Sequence, residues 1–499
     1  MVYHVDIVVG VSMILISLMH RTSSFQMQPA SADGFISPGF HRSSAPEGLH
    51  QSPGSDPYTE RVIMWTCATE ECLSNMTVKS FQHWWTVQPT TRRLSMSSQL
   101  KWVQRVALKD LLKSDEYQYT VADHSFTFYT WSNARSLEFL LYGSIEDSMG
   151  DQSPAHRQLM YELSMGKYAA VINLGSLTCQ KQSIHQFLSN LQSLASQVPY
   201  LTTPGKGELD DKFNLYTQLF SMPNVDWPMR QLWYSFNVRY AHIISFSTEV
   251  YFTKNLTLVQ EQLRWLEEDL IEANSQKNRQ LRKYPWIIAF SHRALYCSGD
   301  QECIHFSMRF KDLENLFHRY GVDLVITTQD NFYERTFPVF LGNAIYGSYV
   351  HPTAPIYVNT AAFTCNTHHI RNMPYVHKPK QAPEWCAKKI YTHMKSTYGR
   401  FRIHNATHLR WQEMSAEDHT SIDAFWLVQY YHGPFNIPRG NHPVIVGVFV
   451  TFAVVLLVVG VGFVGRRRIR DCLEKKRALK HVSYISLQER STAEMTTVT

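Results

Sequence analysis

Two regimes of hydrophobic patterning divide the chain. From about Pro46 to Ser136, apolar and polar residues alternate in short runs, as in RVIMWTC, KWVQRVALKDL, EYQYTVAD and SFTFYTW. A period of two marks strands with one buried face, so residues 46–136 are expected to form a small β-sandwich. From Leu137 the runs become unbroken and apolar at strand length: LEFLLYG, YAAVINLG, HIISFSTE, WIIAFSH, DLVITT and IYVNTAAF. Such runs suit strands covered on both faces. Helical segments lie between them. Residues 257–282 place Val259, Leu263, Leu266 and Leu270 on one face, with Thr257 and Gln260 as a capping box, and residues 311–320 form a second helix. The alternation predicts an α/β domain over 137–435, with its chemistry where strands end and loops begin.

Two further apolar stretches set the topology. Residues 7–19, IVVGVSMILISLM, have the length of a secretory h-region, so residues 1–24 are expected to be a signal peptide, although the n-region lacks Lys and Arg and an uncleaved anchor is the alternative. Residues 25–45 are rich in Ser, Pro and Gly and read as a flexible leader. Residues 444–465 are 22 uncharged residues followed at once by RRRIR, the pattern of a transmembrane helix with its C-terminal side in the cytosol. The expected protein is single-pass and type I, at the plasma membrane or in endosomes or lysosomes. Its ectodomain is lumenal or extracellular, and residues 466–499 form a cytosolic tail.

Charge and cysteines fit that topology. The formal net charge of +6 comes mostly from residue 466 onward, where nine Lys/Arg face four Asp/Glu. The basic balance is therefore a property of the tail, which should lie against anionic lipid, and gives no support to nucleic-acid binding. Seven of the eight cysteines precede the span, and the close pairs Cys67/Cys72 and Cys297/Cys303 are expected disulfides, with an odd thiol left over. Cys472 lies just inside the membrane. Sequons stand at Asn75, Asn255 and Asn405. In the tail, Tyr484 and Leu487 of SYISL fit a Tyr-x-x-hydrophobic sorting signal read by a cytosolic adaptor, with an ordinary disordered tail as the alternative.

The strand ends carry a more specific signal. PEGLHQSPG from Pro46, LWYSFNVRYAHIISFSTEVYF from Leu232, WLEEDLIEANSQKNRQLRKYPWIIAFSHRALYCS from Trp265, YGVDLV, YERTFPV and the terminal HGPF occur in order. Across residues 46–435 the chain resembles the animal-type purple acid phosphatases of the calcineurin-like metallophosphoesterase superfamily. The resemblance implies a fibronectin-like β-sandwich followed by an αββαβ metallophosphoesterase sandwich. It also implies a dinuclear iron/zinc or iron/manganese centre that hydrolyses phosphomonoesters. Such a centre makes hydroxide from bound water and neutralises phosphate oxygens.

The ligand positions of that family are mostly substituted here. Where the family has its first Asp, LYGSIED has Ser144. The bridging Asp and the Tyr of VGDIAY correspond to Ser176 and Cys179 in LGSLTC. The Asn and the substrate-contacting His of PGNHE correspond to Lys206 and Gly207 in PGKGE. His292 of FSHRALY keeps its identity, while Gln329 and Asn331 of TQDNFYER replace two His. Neutral Ser and Gln compete poorly with water for a metal, and a Lys ammonium beside a dication costs several kcal/mol even at an effective dielectric of about 20. Asp147 or Asp151 could serve the first site only by a slip of register, and Asp330 should point away from its two neighbours. His242 and His432 match family positions that hold no metal, and no Ser-His-Asp arrangement is evident.

The expected molecule is therefore a phosphatase scaffold with no cofactor, a pseudophosphatase that binds a ligand in its old cleft. An anionic ligand would suit Lys206 and Arg335. The alternative is an active acid phosphatase with altered metal ligation, in which His292 is the one retained ligand.

Overall fold

The computed structural model describes residues 45–435, apart from 82, 95–101, 133–135, 144–153, 178–183, 225–226, 228–231, 282, 300, 330–331, 346–347, 362–382 and 392–395, together with residues 465–477 and 480.

The alternating runs of the N-terminal part form two antiparallel four-stranded sheets. One has the order Glu47–Pro53, Arg61–Cys67, Trp102–Leu108, Thr90–Arg93, and the other Trp84–Val87, Met76–Lys79, Glu116–Val121, His124–Tyr129. The alternation sets which face is inside. Tyr117, Tyr119 and Val121 are buried, whereas the alternating Glu116 and Gln118 are exposed. Trp65, Val78, Tyr119 and Phe128 fill the interior between the sheets, and the Cys67–Cys72 disulfide joins that core.

This part is tied to the rest of the chain by buried polar contacts as well as by packing. Tyr119 Oη and Gln51 Nε2 both donate to the Ser196 carbonyl, at 2.7 and 2.9 Å. Trp131 packs edge-on against Tyr58 and Phe139 and donates from Nε1 to the Ala169 carbonyl at 2.8 Å. Its indole thus buries a large apolar area without leaving its N–H unpaired.

The unbroken apolar runs form a mixed α/β sandwich. One six-stranded sheet has the order Tyr200–Thr202, Tyr168–Asn173, Leu137–Tyr142, Thr397–Ile403, His408–Ser415, Ser421–Val428. The facing seven-stranded sheet has the order Tyr234–Val238, Ala241–Ser245, Trp286–Arg293, Leu324–Gln329, Ile356–Ala361, Phe332–Thr336, Cys386–Tyr391. Leu140, Val171 and Phe401 of the first share a core with Ile243, Ile288, Ile326 and Val358 of the second. Helices cover the outer faces, so the central strands are apolar on both sides, as their sequences require.

Two helices show how local chemistry sets their ends. Lys311–Tyr320 has Asp312 and Glu314 in its first turn, His318 and Arg319 in its last, and Gly321 at φ +68° as its stop. Charges and glycine match the helix dipole and the left-handed C-cap. The helix expected over 257–282 runs instead from Leu256 to Ala273 and is followed by a π turn over Gln276–Gln280. Its N-cap is Asn255, whose Oδ1 accepts from the Thr257 N–H at 3.0 Å, so the expected Thr257/Gln260 capping box is not the cap. At the other end, Asn274 Nδ2 donates to the Leu270 and Tyr320 carbonyls at 2.8 and 2.9 Å. Arg279, buried, donates to Tyr320, Gly321 and Pro285 carbonyls and pairs with Asp323 at 3.0 Å. Carbonyls at a helix end need donors, and here they come from side chains that only a broken helix can supply.

Cys297–Cys303 forms the second expected disulfide, and Cys386 and Cys472 are free. Cys179, Cys365, the signal peptide, the leader, Tyr484, Leu487 and residues 444–464 of the expected span lie outside the described residues. Among the described residues no helix is long and apolar enough to cross a membrane. Residues 465–477 are helical.

Candidate functional site

Parallel strands of the two sheets end at one place, where the loops after Asn173, Thr202 and His292 meet. Asn173 closes its strand, and its Oδ1 accepts from the Gly175 N–H at 2.8 Å. Gly175 at φ +90° and Ser176 at φ +56° then turn the chain sharply. Such a conformation is routine for Gly and costly for Ser, so Ser176 is held there by its surroundings.

Those surroundings begin with a second glycine. A Cβ on Gly175 would lie 2.7 Å from the Gly205 nitrogen, and one on Gly205 would lie 2.2 Å from the Ser176 nitrogen. The two loops therefore touch backbone to backbone. The short helix Lys206–Asp210 starts at that contact and supplies Glu208. The buried Glu208 carboxylate accepts from the Ser176 and Gly205 N–H groups through Oε2 and from the Leu177 N–H through Oε1, each at 2.8 Å. Burial pushes its pKa above the usual carboxylate value, against the opposing pull of those N–H groups and of His292.

His292 enters from the facing sheet, at the end of Trp286–Arg293. The residue is 8% exposed. Nδ1 lies 2.7 Å from the Leu174 carbonyl oxygen and Nε2 lies 3.3 Å from Ser176 Oγ. The Gly207 N–H also reaches Ser176 Oγ, at 3.5 Å. Ser176 is half-buried and Lys206 is exposed. Next to His292, Arg293 pairs with buried Glu249 at 2.7 Å and lies over the Phe252 ring.

Of the residues named from sequence, Ser176, Gly207 and His292 meet here, and Lys206 stands beside them. Gln329 is the last residue of its strand, paired with Ala361. Ser144, Cys179, Asp147, Asp151, Asp330 and Asn331 lie outside the described residues. Arg335 does not face the cleft as an anion receptor: it is buried, pairs with Asp423 at 2.8 Å and lies between the Tyr349 and Phe425 rings. His242 bonds Asn237 and Asp269, and His432 packs on Trp286 and bonds the Ala406 carbonyl, both structural uses. Sequence reading passed over Glu208. The signal was the carboxylate retained two residues after the substituted Lys206, in a segment otherwise stripped of donors.

Residues 354–424 match the family described as iron/zinc purple acid phosphatase-like protein C. The zebrafish (Danio rerio) protein acid phosphatase type 7 is 34% identical over 366 residues, which cover 67% of this chain and 79% of that protein. The chain belongs to the purple acid phosphatase-like family. The human protein of the same name is 32% identical, over 66% of this chain and 78% of its own length. In fold, this family member is similar to the purple acid phosphatase PPD1 of yellow lupin, with a TM-score of 0.62 at 17% identity, covering 77% of this chain and 74% of that one.

The family implies two metal ions, and the described donors do not fit them. At four of the positions that the sequence resemblance assigns to the metals or the substrate, this purple acid phosphatase-like chain has a neutral hydroxyl at Ser176, a cation at Lys206, no side chain at Gly207 and an imidazole at His292. Hard dications at such a centre need carboxylates and several imidazoles. Among the described residues, no group of three or more His, Cys, Asp or Glu side chains is placed to hold a metal. The nearby carboxylate of Glu208 is turned away, onto backbone N–H groups.

Proposed function

We propose that this chain is a membrane-anchored purple acid phosphatase-like protein that does not hydrolyse phosphomonoesters by the family's two-metal route and serves as a binding module. One observation carries the reading. His292, the single retained ligand type, has its two nitrogens against the Leu174 carbonyl and Ser176 Oγ rather than facing a cluster of donors. Two-metal catalysis needs a bridging carboxylate to bring the ions together, and Ser176 stands at that position. The exposed Lys206 ammonium gives the cleft a preference for an anionic group. The N-terminal sheets are read as the family's fibronectin-like module, and residues 444–465 as the anchor that holds the cleft outside the cytosol.

The test is metal analysis of the purified full-length protein together with p-nitrophenyl phosphate hydrolysis at acid pH. The expected result is iron, zinc and manganese far below one ion per chain and no turnover above buffer. Two metals per chain with turnover would overturn it, and would extend to this chain the activity that its relatives' name states.

A further inference from the structure

We propose that Ser176 is a nucleophile and His292 its general base, so that the site takes a carboxylic ester and transfers its acyl group to Ser176. The inference goes beyond the loss of phosphatase chemistry and rests on that reading only in requiring His292 to hold no metal.

The hydrogen bonds fix the direction of proton transfer. The Leu174 carbonyl oxygen can only accept, so His292 Nδ1, at 2.7 Å, carries the hydrogen. In the neutral ring Nε2 then has a free lone pair, which faces Ser176 Oγ at 3.3 Å and accepts from its hydroxyl. Nucleophile, base and a third group that orients the base are the parts of an activated serine, with a main-chain carbonyl here in the place often taken by a carboxylate. The backbone agrees. Ser176 sits at φ +56° immediately after Gly175 at φ +90°, just beyond the end of a buried parallel strand, a strained turn of the kind found at functional sites that holds its hydroxyl against His292 Nε2. Among the described residues Ser176 is half-buried and keeps some surface, while His292 behind it is almost fully covered.

In the acyl step Ser176 Oγ bonds to the ester carbonyl carbon, its proton passes to His292 Nε2, and the carbon–oxygen bond to the alcohol breaks as that proton moves to the departing alkoxide. In the second step water oxygen bonds to the acyl carbon and gives a proton to Nε2, the bond from that carbon to Ser176 Oγ breaks to release the carboxylic acid, and Nε2 returns the proton to Oγ. The oxyanion is less well served. The N–H groups of Ser176 and Leu177 are spent on Glu208, leaving the Gly207 N–H near Oγ and the exposed Lys206 ammonium. Each missing oxyanion donor costs about 100- to 1,000-fold in rate, so turnover is slow and covalent capture is the better readout.

The experiment uses full-length protein in detergent and a fluorophosphonate probe, which phosphonylates an activated serine and releases fluoride, followed by peptide mapping. The expected result is an adduct on Ser176 that is absent in S176A and forms about 100-fold or more slowly in His292→Asn. His292→Asn keeps an N–H for the Leu174 carbonyl and removes the base. Its melting curve is recorded alongside, and His292→Gln is the second variant if that fold is lost. No adduct on Ser176 in folded wild-type protein, under conditions that label a control serine esterase, overturns the proposal. So does labelling at an unchanged rate in the folded His292 variants. Metal content on the same sample separates the two readings: an unlabelled, metal-loaded protein overturns both, and an unlabelled, metal-free one overturns only the serine nucleophile.

Discussion

At the scale of single residues, the site is built by exclusion. Gly175 and Gly205 are required because each would drive a Cβ into the other loop's backbone. Gly205→Ala is expected to destabilise the protein by about 1–3 kcal/mol, since the collision is with main chain that cannot rotate away. Denaturant unfolding of the variant checks this, and an unchanged midpoint would mean that the loops are not in contact. The residue types at the positions that the resemblance assigns to metal ligands were legible one by one, because identity at a recognisable strand end is a matter of sequence. How those residues are arranged was not legible. Glu208 looks like any carboxylate until three backbone N–H groups converge on it. Arg335 reads as a free cation near the cleft until Asp423, far along the chain, is found beside it.

At the scale of elements, strand positions follow from periodicity, and nearly every apolar run named from sequence is a strand of one of the two large sheets. Helix ends depended on partners. The long helix stops at Ala273 because Asn274 and Arg279 cap carbonyls of two different helices, one of them from another part of the sequence. Its start is set by Asn255, which uses Oδ1 as the cap and is exposed, so that Nδ2 remains for a glycan at the same residue. Asn255→Asp separates the two roles. The carboxylate still caps, so thermal stability should hold within about 0.5 kcal/mol, whereas Asn255→Ala should cost about 1 kcal/mol. The Asp variant of protein from a glycosylating host should also lose the mass of one glycan on an electrophoretic gel, and an unchanged mass would show that Asn255 is unmodified.

At the scale of the whole molecule, the N-terminal sheets are joined to the α/β sandwich by a core that includes Tyr58, Val62, Met64 and Trp131 together with Phe139 and Phe236. They are not beads on a linker. A chain ended at residue 442 should therefore carry the full core and, on the expected topology, leave the cell in the medium, whereas the full chain should resist carbonate extraction from membranes. Retention of the truncated chain in the membrane fraction would show that residues 444–465 are not the sole anchor.

The sequence by itself determined the order of strands and helices, the two disulfides, the family and the residue types at the positions that the resemblance aligns with its metal ligands. Each depends on residue type and local spacing, and local periodicity survives in one dimension. The tertiary structure alone decided which residues the candidate site brings together. Ser176 and His292 are 116 residues apart and come from facing sheets, and their hydrogen bond exists only because two glycines let one loop settle against another beneath them. Pairings of that kind are fixed by packing in three dimensions, where no spacing along the chain announces them.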